Sequence, residues 1–303
     1  KQTLEREKLY ARVPVPGDDI PIRVAPSLVK DERPGDGELR DVVTGMGNNR
    51  AGGASQIRAE HMKEWLRGVV EEEKANRAGG STESTHRGKG DRWRAFVKLI
   101  QTIWDTGEIP QQMVWMIIVL LPKGGGDYRG IGLLEPFWKA IEAVMNGRLK
   151  VIPLHDCLHG SVPKRGTGTA ILECKLVQQL AYLDQVPLYE IFIDLRKAYD
   201  AMDRDKCLKI LEARGVGPKM LALIKRFWDT AIMVCRAVGR YGRQFSGHRG
   251  VTQGGPLSPM LFNILVDAVV REWLYRTLGE EAAEHGYGDA VSYFLSLYYV
   301  DNA

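Results

Sequence analysis

Tyr189-Glu-Ile-Phe-Ile-Asp194-Leu-Arg-Lys-Ala-Tyr199-Asp-Ala-Met-Asp203 is the stretch from which the rest of the chain can be read. Its first half is an apolar, β-rich run with a single acid at its end, and a helix over 203–213 follows at once, stopped by Gly215. A carboxylate closing an apolar strand costs several kcal/mol unless it is paired or holds a metal. The same pattern recurs near the end of the sequence, where Val291 to Val300 reads as a strand running into Asp301. Taken singly, an acid closing a strand is more often a turn former or a helix cap. Two of them on separate segments match what two-metal phosphoryl transfer needs, which is carboxylates converging on a pair of Mg²⁺ ions about 3.5 to 4 Å apart.

Working outward, Pro218 opens a helix to about Trp228, and 231–238 with 243–248 read as a hairpin joined by Gly239-Arg-Tyr-Gly242. Gln253-Gly-Gly-Pro256 launches a long apolar helix to Leu278. Upstream, His155 to Thr169 is a basic, Gly-rich loop entering a helix over 170–183, and a further helix covers 136–149. Val114 to Pro122 is a strand turned back by Gly124-Gly-Gly126. Trp93, Phe96, Val97, Ile100 and Trp104 fall on one stripe of an amphipathic helix that Gly107 and Pro110 end. A helix over 57–73 precedes it, separated by the polar segment 74–91, read as a flexible loop. The first 45 residues, with five prolines among scattered charges, read as an extended arm.

Composition sets the limits. The 303 residues carry 42 Lys+Arg against 38 Asp+Glu, a net charge of +4, with 44% apolar and 26% charged residues. That excludes collagen-like, disordered and coiled-coil classes, and any polyanion partner has to be argued from local clusters. The longest apolar run, Met113 to Leu121, is too short to span a membrane and no leader opens the chain, so the expectation is an intracellular protein with no membrane association. Cys157, Cys174, Cys207 and Cys235 form no C-x-x-C pair and read as incidental thiols. His155, His159 and His248 have no ligand-spaced partner.

The stretch 192–203 resembles motif A of reverse transcriptases of the non-LTR retrotransposon and group II intron type. Arg249-Gly-Val-Thr-Gln-Gly-Gly-Pro-Leu-Ser-Pro-Met-Leu-Phe-Asn263 resembles their motif B, and Tyr298-Tyr-Val-Asp-Asn302 their motif C. Leu120-Leu-Pro-Lys-Gly-Gly-Gly-Asp-Tyr-Arg-Gly-Ile-Gly-Leu133 is similar to the fingers motif, Phe137 to Leu149 to the helix after it, and Gly160 to Thr169 to the Gly-rich segment before the palm. Asn48 to Gly53 is a weaker likeness of the family's opening motif, so the resemblance runs from about Asn48 to Asn302 in the family's order.

The resemblance implies an α+β right-hand polymerase, with residues 1–45 as an extension, 46–186 as fingers and 187–303 as a truncated, ferredoxin-like palm without a thumb. It implies an RNA-directed DNA polymerase that joins deoxynucleoside triphosphates to a DNA primer on an RNA template, with two Mg²⁺ ions or Mn²⁺ in their place. Asp194 and Asp301 would be the catalytic acids and metal ligands, helped by the backbone carbonyl of Leu195. Lys123 and Arg129 would hold the triphosphate, Tyr199 would sit under the sugar and exclude a 2′-hydroxyl, and Gln253 and Gly254 would line the nucleotide pocket. Arg148, Lys150, Lys164 and Arg165 are the basic residues assigned to template and primer. Asp200 and Asp203 read as helix-start residues. His248 and the other histidines are given no metal.

Three departures temper the likeness. Asn302 stands where the family has a second aspartate, and an amide is a poorer Mg²⁺ ligand. Gly130 replaces the usual proline after Arg129, and the frame ends at Ala303 like a piece of a longer one. The expectation is a weakly active or inactive fragment. The alternatives are a catalytically inactive nucleic-acid-binding module derived from a reverse transcriptase, a pseudogene product, or, within polymerases, an RNA-dependent RNA polymerase, against which Tyr199 and Gln253-Gly254 argue.

Overall fold

The computed structural model describes residues 20–78, 84–125, 127–190, 195, 197–237 and 239–278. Among them the helices are α1 (Asp36–Gly45), α2 (Ala59–Arg77), α3 (Ser84–Thr106), α4 (Pro136–Leu149), α5 (Thr167–Leu183), α6 (Ala198–Ala201), α7 (Arg204–Ala213), α8 (Pro218–Thr230) and α9 (Ser258–Leu278). The strands are β1 (Trp115–Gly124), β2 (Asp127–Leu134), β3 (Ile232–Ala237) and β4 (Arg240–Phe245). The architecture is α+β, around one mixed sheet in the order β2-β1-β3-β4. β1 and β2 form an antiparallel hairpin, β3 and β4 a second, and β1 runs parallel to β3 from Trp115↔Ile232 to Val119↔Arg236. A parallel pair needs a long crossover, and α4 to α8 supply it.

Large aromatic residues fix the core. Trp93, Trp104 and Trp138 are buried, and each indole N–H has a partner, as burial of that group demands: Asp36 at 2.7 Å, the Asp31 carbonyl at 2.9 Å and Glu142 at 2.9 Å. Trp138 of α4 stacks on Phe227 of α8, centroids 4.1 Å apart, joining the helix beside the first hairpin to the helix beside the second. Midway along α9, the fully buried Asp267 accepts from the His155 backbone N–H (2.6 Å), Arg214 (2.6 Å) and Arg271 (2.9 Å). Three donors surround one buried carboxylate, so the charge is compensated and the 151–165 loop is pinned to α9.

The structure corrects several expectations. The arm contains α1, whose Leu39 and Val43 are an i, i+4 pair buried against the core. Two apolar residues among many prolines and charges give too faint a period to register. The proposed loop at 74–91 is largely helical: α2 continues to Arg77 and α3 begins at Ser84, with Arg94 pairing to Glu72 at 2.8 Å between them. In the second hairpin, Arg240 to Gly242 belong to β4 and not to the turn. The mixed sheet draws its strands from both sides of residue 186. The stretches read from the sequence as strands ending in Asp194 and Asp301 lie outside the described residues.

Candidate functional site

The segment before α9 is held from two sides. Gly250 N–H donates to the Met202 carbonyl (2.8 Å) and Val251 N–H to the Tyr199 carbonyl (2.9 Å), fastening it to α6. Gly132 N–H of β2 donates to the Gln253 carbonyl at 2.7 Å, fastening it to the first hairpin. Arg204 adds its Nε–H to the Gly250 carbonyl (2.9 Å) and lies over the Trp228 ring. A turn is thereby suspended between the short helix α6 and the strand that carries Arg129.

Gly254 shows why that turn takes glycine. Its φ is +112°, and a Cβ there would stand 2.7 Å from the Gly132 carbonyl oxygen. A Cβ on Gly132 would in turn meet Thr252 Cγ2 at 2.7 Å and Met116 Sδ at 2.8 Å. The turn and β2 touch through bare backbone on both sides.

Beneath the turn sits Glu142 of α4. It is buried, its Oε1 accepts from Trp138, and a Cβ on Gly255 would lie 2.5 Å from its Oε2. Burial pushes its carboxyl up to about 7, against the opposing pull of the Trp138 indole, the Leu257 backbone N–H and the Lys139 charge. Lys139 is itself held below the ordinary lysine range by burial, which outweighs the raising influence of Glu142 and Glu135, and Arg50 adds to the lowering.

Of the residues singled out in the sequence, Tyr199, Gln253 and Gly254 are brought together here. Gln253 Nε2 donates to Asp200 Oδ1 at 3.2 Å, and the Tyr199 ring stacks on Phe262 of α9, centroids 5.0 Å apart. Tyr199 is therefore a core residue. Lys123 is exposed at the irregularity between the pairs Pro122↔Tyr128 and Gly124↔Asp127, and Arg129 is half-buried opposite Leu121. Neither has an ion pair among the described residues. Leu195 is exposed, and Asp194 and Asp301 lie outside the described residues.

The four basic residues assigned to nucleic acid separate into two kinds. Arg148 is a correction: it is buried, over the Trp104 ring, with its guanidinium given to Glu38 (2.7 and 2.8 Å) and the carbonyls of Lys30 (3.2 Å) and Glu32 (2.6 Å). It braces the N-terminal segment against α4, with four of its five N–H donors engaged. Arg165 is similarly engaged, with Asp156 and the carbonyls of His155, Asp156 and Leu158. Lys150 and Lys164 are exposed.

Among the described residues no group of three His, Cys, Asp or Glu side chains is placed to hold a metal. The acids nearest motif A are already occupied, Asp203 capping α7 through Lys206 N–H (3.0 Å) and facing Arg249 (3.7 Å), Asp200 buried against Gln253. This bears out the reading of both as helix-start residues, Asp203 as the cap of α7 and Asp200 in the first turn of α6, from where it also braces the turn. Sequence reasoning missed the brace, Glu142 and the cations Arg50, Arg58 and Lys139. A polar stripe at Lys139, Asn146 and Lys150 on an otherwise apolar helix was the available signal for the last group.

Comparison with known proteins gives a match over residues 121–299 to the family described as reverse transcriptase (RNA-dependent DNA polymerase). The match covers more than half of the chain, takes in Lys123, Arg129, Asp194, Tyr199, Gln253 and Gly254, and stops short of Asp301. The chain is 34% identical over 191 residues to the retrovirus-related Pol polyprotein from type-1 retrotransposable element R2 of Nasonia vitripennis, 59% of this chain and 18% of that protein. It is 24% identical over 181 residues to the transposon TX1 uncharacterized 149 kDa protein of Xenopus laevis, 57% of this chain and 14% of that protein. It is 27% identical over 154 residues to the putative COX1/OXI3 intron 2 protein of Saccharomyces cerevisiae, 49% of this chain and 16% of that protein. The chain spans less than a fifth of the length of each of these three relatives.

Proposed function

Because the chain belongs to the reverse transcriptase (RNA-dependent DNA polymerase) family, we propose that it carries the nucleotide site of a retroelement polymerase. In this reading a primer 3′-hydroxyl attacks the α-phosphate of a deoxynucleoside triphosphate paired to an RNA template, and pyrophosphate leaves. The observation that carries it is the Gln253-Gly254 turn, docked on β2 through Gly132 and braced by Asp200, with Lys123 and Arg129 on the same hairpin and without an ion pair among the described residues.

Each part then has a task. The bare backbone at Gly254 lets a flat ligand approach closely, Lys123 supplies a compact charge and Arg129 a planar fork for phosphate oxygens. Tyr199, made rigid by Phe262, turns its rim toward the sugar, where width would exclude a 2′-hydroxyl. Asp194 and Asp301 offer the hard oxygen donors that suit Mg²⁺, with the Leu195 carbonyl beside them. Bound there, the two ions would neutralise charge on the transferring phosphate. The remaining contribution of the chain is positioning, the usual main lever in phosphoryl transfer. The division into fingers and a ferredoxin-like palm belongs to the same reading, as do an RNA template and a DNA primer as partners.

Discrimination between sugars tests the nucleotide site. Incorporation of dNTP against NTP, measured for the wild type and for Tyr199→Val, is expected to show a deoxynucleotide preference that falls at least tenfold in the variant. An unchanged preference would remove Tyr199 from the site and leave it a core residue.

A further inference from the structure

Gly255 closes the turn by committing both of its backbone groups. Its N–H donates to the Thr252 carbonyl (3.1 Å), and its carbonyl accepts from the Ser258 N–H (3.3 Å) at the start of α9. Beneath it lies the Glu142 carboxyl, so close that a Cβ on Gly255 would stand 2.5 Å from Oε2 and 3.1 Å from Ser258 Oγ. Glu142 Oε1 accepts from the Trp138 indole at 2.9 Å, whereas Oε2 is buried without a hydrogen bond among the described residues.

The surroundings of that oxygen favour the neutral acid. The small pocket it shares is lined by Ile224, Phe227, Trp228, Thr252, Ser258 and Leu261 among others, drawn from α8, the turn and α9, and no lining residue except Glu142 titrates. The charge acting on the carboxyl is Lys139, one turn back on its own helix, and Lys139 is in turn influenced by Glu135 and Arg50. The other charges beside the turn are engaged elsewhere, Arg204 with the carbonyls of Gly250 (2.9 Å) and Trp228 (3.2 Å), Asp200 with Gln253 (3.2 Å).

A buried acid is ordinarily a hydrogen-bonded core group from which nothing more follows. Two features set Glu142 apart. Its unsatisfied oxygen faces the backbone of the turn, and the turn is the wall able to yield, since Gly254 is exposed and Gln253 half-buried. The walls behind it are fixed by the Trp138–Phe227 stack. A charge appearing on Oε2 would lie in an apolar corner against Gly255, and shifting the turn to admit water is the available relief.

We propose that Glu142 is a positioning residue for the nucleotide and acts as a proton-dependent latch on the turn. As the neutral acid it seats Gly255 and so holds Gly254 against β2; as the carboxylate it unseats them. The latch does not touch the substrate, and its effect on synthesis rests on the assignment of the turn to the nucleotide.

The first test needs no catalysis. Deuterium exchange of the full chain, read on the peptide spanning 249–257 and corrected for intrinsic rates, is expected to rise at least about threefold from pH 6 to pH 8. In Glu142→Gln, which keeps the shape of the neutral acid, it is expected to stay flat, and the exposed Glu212→Gln is expected to follow the wild type. The second test is dCTP incorporation over the same range. The KM of the wild type divided by that of Glu142→Gln is expected to rise about tenfold, the factor for a site competent only while a group titrating near 7 keeps its proton. The corresponding ratio of kcat is expected to stay constant, which a merely structural role would not produce. Flat exchange in the wild type, the same rise in Glu142→Gln, or a constant KM ratio overturns the proposal. A pH-dependent turn in a chain that never incorporates a nucleotide would keep the latch and remove the polymerase reading.

Discussion

Gln253 reaches across its own turn to Asp200, Nε2 to Oδ1 over 3.2 Å, while its carbonyl is taken by the Gly132 N–H at 2.7 Å. One residue thus joins α6, β2 and the start of α9. Asp200 is fully buried and Gln253 half-buried, so removing Asp200 takes the acceptor from that amide and leaves a hole beneath the turn. Asp200→Ala is expected to cost about 1 to 3 kcal/mol in urea unfolding and to weaken nucleotide binding more than it changes the rate of incorporation at saturation. A variant as stable as the wild type would show that the contact carries no weight.

Gly254 allows a sharper test, because conformation and space both oppose a side chain there. Gly254→Ala places a Cβ 2.7 Å from the Gly132 oxygen at a φ of +112°, and is expected to destabilise by at least about 1 kcal/mol. Calorimetric melting of Gly254→Ala against an exposed Gly147→Ala control reads this directly. Gly147 has open space where a Cβ would go.

The pH dependence follows from Glu142. Its carboxyl is raised from 4.5 to about 7 in the folded chain, so between those values the folded state holds a proton that the unfolded state has released. The stability associated with that proton is complete below about 4.5 and is lost as pH rises through 7, a change on the order of 3 kcal/mol. Glu142→Gln removes the dependence. Its stability relative to the wild type, from chemical denaturation, is expected to improve steadily from pH 5 to pH 8; a constant difference would mean that Glu142 does not titrate in this window.

Much of this was legible beforehand, and the exceptions share a cause. Helix 136–149 was found with its boundaries because Pro136 sets its first turn and Leu149 ends the apolar stripe. The helix after Asp203 was found because Asp203 caps it. The parallel pairing of β1 with β3 was not foreseen, since both strands are short apolar runs and nothing local says which partner each takes. Arg148 was misread for a related reason: its partners Glu38, Lys30 and Glu32 are more than a hundred residues away, and a basic residue looks solvated until the fold supplies them. The tie between Gln253 and Asp200 is likewise long-range, whereas the glycines that make it possible could be read one by one.

The central claim is that this chain holds the chemistry of RNA-templated DNA synthesis, with Asp194 as an indispensable acid. Single-turnover addition of one deoxynucleotide to a DNA primer on an RNA template in Mg²⁺ measures it most directly. The account predicts addition by the wild type and a loss of at least about a thousandfold in Asp194→Ala, the scale seen when a preorganised charge-stabilising group is removed. Addition that survives Asp194→Ala, or no addition by the wild type even with Mn²⁺, would contradict it.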